Sequence, residues 1–275
     1  MLLEINNITK YYDRVVAVKD LSLTIEKPQI LALLGSNGAG KSTTIKMMCG
    51  LLKPSEGSLH INDKSYADNA DQLRQMIGYV PEESACYNDI GIFDYLRFFA
   101  QLYGIDDVVA QERIRTNLKK LDLDVGNKQI GQLSKGMKRK VLIVRSLLND
   151  PDILIYDEPA SGLDPQTSDY ILSFMQSLQE QGKLIIFSSH NLGHVEQIAD
   201  RVVIIHKGKK AYDALIDELH DSGQQYTIRR HGKTETVSLD QLKKIMAQDA
   251  TGVESIHSQE RTVQDVFLSL VNQDA

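Results

Sequence analysis

The stretch Gly35-Ser36-Asn37-Gly38-Ala39-Gly40-Lys41-Ser42-Thr43 fits the pattern G-x-x-x-x-G-K-[ST], and its setting matters as much as its letters. The apolar run Ile30-Leu31-Ala32-Leu33-Leu34 comes straight before it and reads as a buried strand. A periodic segment from Thr43 to Cys49 follows and stops at Gly50. Strand, glycine loop and helix, in that order, is the context in which this pattern binds phosphate. Glycines let successive backbone N–H groups turn inward as an anion-binding nest, and the helix opening at Lys41 adds its partial positive end. In such a loop Lys41 reaches the β- and γ-phosphates and the Ser42 hydroxyl ligates Mg2+. A glycine turn that merely joins a strand to a helix would need neither Lys41 nor Ser42. The stretch therefore points to a nucleoside triphosphate.

The chain has 275 residues, enough for one large α/β domain with an appendage or for two small domains. A net charge of −6 argues against a general nucleic-acid binder, because no phosphate-neutralising excess exists. The local basic runs Lys138-Arg139-Lys140 and Lys207 to Lys210 read as solvated faces, or as a turn in the second case. Cys49 and Cys86 lie far apart without a C-x-x-C pattern, so reduced thiols in a reducing compartment are expected. Met1-Leu2-Leu3-Glu4 has no basic region followed by a long apolar one, which argues against a signal peptide. No apolar run approaches the ~18 residues of a membrane span. A membrane role would therefore need a partner.

Residues 1–27 alternate, with Leu3 and Ile5, then Leu21, Leu23 and Ile25, which predicts half-buried antiparallel strands. Pro28 marks the turn into the strand before the loop. Leu59-His60-Ile61 before Asn62-Asp63 reads as a strand and turn, and Ile77 to Val80 as a strand stopped by Pro81. From Glu82 to about Leu148 helical spacing takes over, at Ile92, Leu96, Phe99 and Tyr103 and again at Ile114, Leu118 and Leu121. Strands at 153–156, 184–187 and 202–205 then alternate with helices at 166–181 and 192–199, which predicts a parallel sheet covered on both sides. Beyond residue 212 the signal weakens: 226–228 and 236–239 read as short strands, and Val263 to Val271 as an amphipathic helix.

Ile153-Leu154-Ile155-Tyr156 delivers Asp157 and Glu158 to the C-terminal end of a buried strand, where ligands bind in open α/β sheets. Asp157 would hold Mg2+, directly or through water, and Glu158 would orient or deprotonate an attacking water. Asp-Glu after an apolar strand is common and gains its force from the upstream loop. Leu133-Ser134-Lys135-Gly136-Met137, before a helix expected at 138–148, is a second candidate anion site. Ser134 has the chemistry of an N-cap, and Gly136 permits close backbone approach. His190 follows Phe187-Ser188-Ser189 at a strand end, where it could hydrogen-bond a γ-phosphate. His194 lies four residues on, but a zinc-protease motif needs Glu directly after its first His, and here that residue is Asn191.

Taken together, the order and spacing of these pieces resemble the nucleotide-binding subunit of an ATP-binding-cassette (ABC) transporter over roughly residues 1–212. The resemblance rests on the Gly35-to-Thr43 loop, the Leu133-to-Met137 signature, the Asp157-Glu158 strand end, Ser161-Gly162-Leu163-Asp164 and His190. It implies an α/β fold: a P-loop NTPase core of ABC type, an N-terminal antiparallel β subdomain and a helical insertion at about 83–148. A small appendage of open role would occupy 213–275. The tail from Thr262 to Phe267 resembles that of subunits from bacterial multidrug and antibiotic exporters.

The resemblance also implies roles. Tyr12 matches the aromatic that stacks on adenine, with Tyr11 as the rival candidate. Gly35, Ser36, Asn37, Gly38, Ala39, Gly40, Lys41, Ser42 and Thr43 would hold the phosphates. Glu158, His190 and Lys41 would be catalytic. Ser42, Asp157 and Glu82 would serve Mg2+, Glu82 standing where many members carry Gln. Ser134 and Gly136 would contact ATP bound to the opposite subunit, and Asp164 would lie across the dimer interface. The signature departs from the usual pattern at Lys135 and Met137, as in the exporter-type subset.

The function implied by the resemblance is that of an ATPase that dimerises around ATP and Mg2+ and powers transport, in the direction of export. Its partners would be integral membrane permease subunits and a second ATP-binding subunit, a copy or a different chain, with no nucleic acid. It would sit at the cytoplasmic side of the cell membrane, held peripherally by the permease. Three other readings compete. A P-loop small-molecule kinase would not explain the Leu133 signature. Among non-transport ABC ATPases, chromosome-maintenance types carry a very long coiled coil and translation-factor types carry two cassettes. A non-hydrolysing nucleotide sensor fits poorly with an intact Asp157-Glu158 pair and His190.

Overall fold

A computed structural model describes residues 2–83, 87–124, 126, 128–221, 225–230, 232–248, 252–259 and 262–272. The chain folds as two compact units, Met1–Tyr212 and Asp213–Ala275.

The first unit opens with β1 (Leu3–Tyr12) and β2 (Val15–Ile25), an antiparallel pair whose alternating residues turn Leu3, Ile5, Leu21, Leu23 and Ile25 inward. β3 (Ile30–Leu34) is buried at all five positions, as expected of a strand covered on both faces. It runs through the glycine loop into α1 (Lys41–Met48). β4 (Glu56–Ile61) and the short β5 (Lys64–Ser65) form a hairpin through Asn62 and Asp63, both with positive φ, and β4 pairs with β1. α2 (Tyr66–Gln75) follows and was not legible in the sequence; only Leu73 in it is buried. β6 (Ile77–Val80) ends at Pro81.

The helical insertion holds α3 (Ile92–Leu102), α4 (Asp107–Lys120) and α5 (Lys135–Ser146), with a 3-10 turn at Ile130–Gln132. α5 starts at Lys135, three residues before the expected 138. The Ser134 hydroxyl accepts the Met137 N–H at 3.2 Å, so the helix begins directly after its cap and takes Gly136 into its first turn. The α/β rhythm then resumes with β7 (Ile153–Tyr156), α6 (Pro165–Glu180), β8 (Leu184–Ser188), α7 (Leu192–Ile198), β9 (Arg201–His206) and β10 (Lys209–Leu215). Lys207 and Gly208 both take positive φ and turn β9 into β10, as the basic run there suggested.

Six strands make the central sheet in the order β10-β9-β3-β8-β7-β6, and the pairs β9–β3, β3–β8, β8–β7 and β7–β6 are parallel. The antiparallel sheet β2-β1-β4-β5, α1 and one face of the central sheet share a single apolar cluster, with Ile5, Ile45, Leu59, Leu33 and Ile186 among its members. Each such side chain gains about 1.5–3 kcal/mol on leaving water. Cys49 is buried in that cluster, where desolvation raises its thiol pKa; Cys86 lies outside the described residues. Parallel strands share one direction, so the C-terminal ends of β3, β6, β7 and β8 open on one edge of the sheet. Asp157, Glu158, Glu82 and His190 gather there with the glycine loop.

The second unit contains α8 (Ile216–Asp221), β11 (Gln225–Arg230), β12 (Lys233–Ser238), α9 (Leu239–Gln248), β13 (Val253–Gln259) and α10 (Val263–Asn272). β11 lies between β12 and β13 and is antiparallel to both. Ile228, Val237 and Leu242 form its small core, with Tyr226 and Ile245 packed alongside. The expected strand at 236–239 ends at Ser238, and Leu239 opens α9 instead. Thr262 and Asp265 satisfy each other's backbone N–H groups at 2.9 and 3.2 Å, a capping box that starts α10.

Candidate functional site

The glycine loop is shaped by close approach. A Cβ at Gly35 would stand 2.4 Å from the Ile205 carbonyl oxygen, and one at Gly40, where φ is +108°, would stand 2.6 Å from that of Ala17. Neither position accepts a side chain. Gly40 caps α1, and its carbonyl takes both the Thr44 N–H and the Thr44 hydroxyl at 2.9 Å. Lys41 is buried, and its ammonium donates to the carbonyls of Gly35 at 2.7 Å and Ser36 at 3.2 Å. That arrangement folds the lysine back over the loop. A cleft of about 450 Å3 opens there, lined by Asn37, Gly38, Gly40, Lys41, Ser42 and Thr43 on one side and by Glu82, Asp157, Glu158 and His190 on the other.

Three strand ends, those of β6, β7 and β8, supply the second wall. Pro81 breaks β6 and leaves Glu82 exposed at the cleft. β7 delivers Asp157 and Glu158, both buried. Asp157 donates its N–H to the Val80 carbonyl at 2.8 Å and so stays within the sheet. Glu158 leaves it: its φ of 50° is left-handed, a conformation that costs a non-glycine residue about 1–3 kcal/mol. The turn brings its carboxylate to His190, whose Nδ1 lies 2.8 Å from Glu158 Oε2. With the carboxylate ionised, Nδ1 must carry the ring proton and donate it. Burial pushes the Glu158 carboxyl above its ordinary value of 4.5; the His190 charge and hydrogen bond and the Lys41 charge oppose this, and the Glu82 charge adds to it. The environment thus places a carboxyl of raised proton affinity beside a phosphate-binding loop, the arrangement a general base requires.

Ser42, Asp157 and Glu82 present only oxygen donors to the cleft, the donor type that Mg2+ prefers. Among the described residues no group of three or more His, Cys, Asp or Glu side chains could hold a metal by itself. A Mg2+ ion here would share its coordination with phosphate oxygens, its usual habit in nucleotide sites. His194 Nε2 lies 3.1 Å from the Asn191 side-chain nitrogen.

Several expected residues lie off this cleft. Tyr12, at the end of β1, is exposed with the Lys10 ammonium 5.7 Å from its ring centroid. Tyr11, also exposed, donates its hydroxyl to Glu56 Oε1 at 3.1 Å. Ser134 caps α5 and Asp164 caps α6, its carboxylate accepting the Thr167 N–H at 2.9 Å; that backbone hydrogen bond holds the Asp164 pKa down. A Cβ at Gly136 would stand 2.9 Å from Thr167 Cγ2, and one at Gly162 would stand 2.3 Å from Lys135 Nζ. The starts of α5 and α6 therefore abut, and a larger residue at 136 would have to displace the Thr167 side chain.

Two residues that carry the site had no sequence signal. Ser188 joins Asp157 and Glu158 through its hydroxyl. Arg139 corrects the reading of 138–140 as a solvated face. It is buried, and its guanidinium donates to the carbonyls of Pro81 and Glu82, each at 2.7 Å. The neighbouring Lys140 ammonium lies 4.4 Å from the Tyr170 ring centroid. Backbone carbonyls on a distant strand end, not solvent, absorb the charge at 139.

Comparison with known proteins agrees with this geometry. The family model described as ABC transporter matches residues 18–161, more than half of the chain. The chain belongs to the ABC transporter family. It is one of the family's ATP-binding, ATP-hydrolysing subunits. It is 37% identical over 210 residues to the ABC transporter ATP-binding protein NatA of Bacillus subtilis, covering 76% of this chain and 85% of that one. It is 35% identical over 222 residues to the Nod factor export ATP-binding protein I of Cupriavidus pinatubonensis, covering 80% and 68%. A solved structure of the ATP-binding subunit of an ABC transporter superposes with a TM-score of 0.73 at 31% identity, covering 90% of this chain and all of the other. No helix among the described residues of the ABC subunit is long and apolar enough to cross a membrane.

Proposed function

We propose that this ABC subunit hydrolyses ATP between two facing subunits and drives export through separate membrane permease subunits. The observation that carries the reading is a division of labour. Loop, acids and histidine share one cleft, while Ser134 and Gly136, the remaining expected nucleotide contacts, stand outside it on another helix of the same chain. A second subunit facing the first would supply Ser134 and Gly136 of the partner subunit to the γ-phosphate. Lys41 and the loop N–H groups would hold the phosphates. Ser42, Asp157 and Glu82 would hold Mg2+, which would supply positive charge against that of the phosphates. Glu158 would take a proton from the attacking water, and His190 would hold Glu158 and reach the γ-phosphate. Tyr12 would stack on adenine. Closure around ATP and opening after hydrolysis convert binding energy into motion.

The helical insertion offers the route to the membrane. Phe98 and Leu102, one turn apart on α3, and Val108 on α4 are exposed apolar side chains that a partner helix would cover. Export as the direction draws support from the Nod factor export relative. The reading places the subunit on the cytoplasmic face of the membrane, held by its permease. Residues 1–212 would form the ATPase domain and 213–275 an appendage to it.

Mixing two inactive variants tests the shared site. Ser134→Arg spoils what a subunit gives its neighbour, and Lys41→Ala spoils what it keeps. A mixture of the two contains one intact loop facing one intact signature, so ATPase activity absent from either variant alone is expected to return. Two folded variants that never complement would end the proposal for pairing between copies of this chain.

The balance of charges on Glu158 gives a second expectation. His190 contributes the largest influence opposing the burial that raises Glu158. His190→Gln should therefore shift the acid limb of the kcat–pH profile to higher pH, while lowering kcat at its plateau. A limb that stays in place would show that His190 does not tune Glu158.

A further inference from the structure

We infer that Ser188 is a positioning residue that sets the metal-facing carboxylate and the general base together; the inference rests on the function proposed above. β8 lies between β3 and β7, and Phe187 pairs with Tyr156, so Ser188 stands beside the point where β7 gives way to Asp157. Its side chain is fully buried. Its one hydroxyl proton goes to Asp157 Oδ1, at 2.5 Å, a charge-assisted bond. Its oxygen accepts the Glu158 N–H, at 2.9 Å.

Each bond answers a specific need. Glu158 turns left-handed, so its N–H leaves the ladder that Asp157 still joins, and a buried N–H without a partner is costly. Ser188 supplies that partner and thereby holds the turn that points Glu158 toward His190. On the other side, a bond to Oδ1 fixes the rotation of the Asp157 carboxylate, which settles how Oδ2 is presented to the cleft. A hydroxyl is the smallest group that can donate to one neighbour and accept from the other. Alanine can do neither, and threonine can do both.

The two roles separate experimentally by comparing affinities for an imido-bridged ATP analogue with Mg2+ and with EDTA. In the full-length protein the affinity gained on adding Mg2+ is expected to fall about 10-fold in Ser188→Ala, the effect typical of losing a partner that orients a metal ligand. Metal-free affinity should stay within about two-fold, because the loop is untouched. In steady state kcat should fall more than KM rises, and Ser188→Thr should restore both the Mg2+ gain and kcat. Far-UV circular dichroism checks folding; if Ser188→Ala fails to fold, Ser188→Cys, of similar volume and weak as a donor, takes its place with the same expectation. A folded variant with an undiminished Mg2+ gain and normal kcat overturns the role of Ser188 alone. A wild-type chain with no affinity for the analogue in either buffer overturns the functional reading beneath it.

Discussion

Glu158→Gln is expected to keep ATP binding and to lower turnover by about 100- to 10,000-fold, the range removed with a general base. The substitution is nearly isosteric, so the contact with His190 and the left-handed turn at residue 158 can persist. What disappears is the capacity to accept a proton. A buried carboxylate facing phosphates is also lost, so ATP affinity should rise rather than fall. Binding without cleavage should collect subunits in the closed, ATP-bound pair, visible by light scattering as a doubled mass that Ser134→Arg prevents. Normal turnover in this variant would remove Glu158 from its role.

The same substitution has a pH signature in stability. Because burial raises the folded-state pKa of Glu158 above 4.5, the protonated form is favoured in the fold. Its stabilising contribution is full below the unfolded value and is lost as pH rises through the folded one. Near neutral pH the wild type therefore carries an ionised buried acid that the Gln variant does not. The variant should melt higher there, and the difference should shrink as pH falls toward 4.5.

Lys41→Ala is the second large effect. A charged donor to phosphate contributes about 1.5–3 kcal/mol, so ATP affinity should fall about 10- to 100-fold. The loss has two sources. The phosphates lose a cation, and the Gly35 and Ser36 carbonyls lose the ammonium that now draws the loop together. Lys41→Arg should not rescue, because a planar guanidinium cannot replace a compact ammonium in so close a fold. Equilibrium binding of a fluorescent ATP analogue checks both, and unchanged affinity in Lys41→Ala would contradict the loop assignment.

Much of this was legible in the sequence because it is local. β3 is a continuous apolar run, β7 is another ending in two acids, and Ser134 sits where a helix cap must sit. α2 left no trace because a helix with one buried residue has no periodicity to read. α9 and β13 were missed in a stretch whose core is only a few side chains. The larger omissions are contacts over long sequence distance. Ser188 meets Asp157 across 31 residues, and Arg139 meets Pro81 and Glu82 across 58 and 57. Arg139 is flanked by lysines, and charge patterning alone makes it look solvated. Nor does any local pattern announce that Glu158 turns left-handed, since the turn is sustained by a neighbouring strand.

The Arg139 guanidinium is flat and stiff, and both ends of it are spoken for by peptide oxygens at the exit of β6. The helix capped by Ser134 is therefore yoked to the stretch of main chain that carries Glu82. Any swing of the insertion that leaves this yoke intact must drag the cleft-side acid along. A swivelling ammonium at position 139 would turn that rod into a loose pivot.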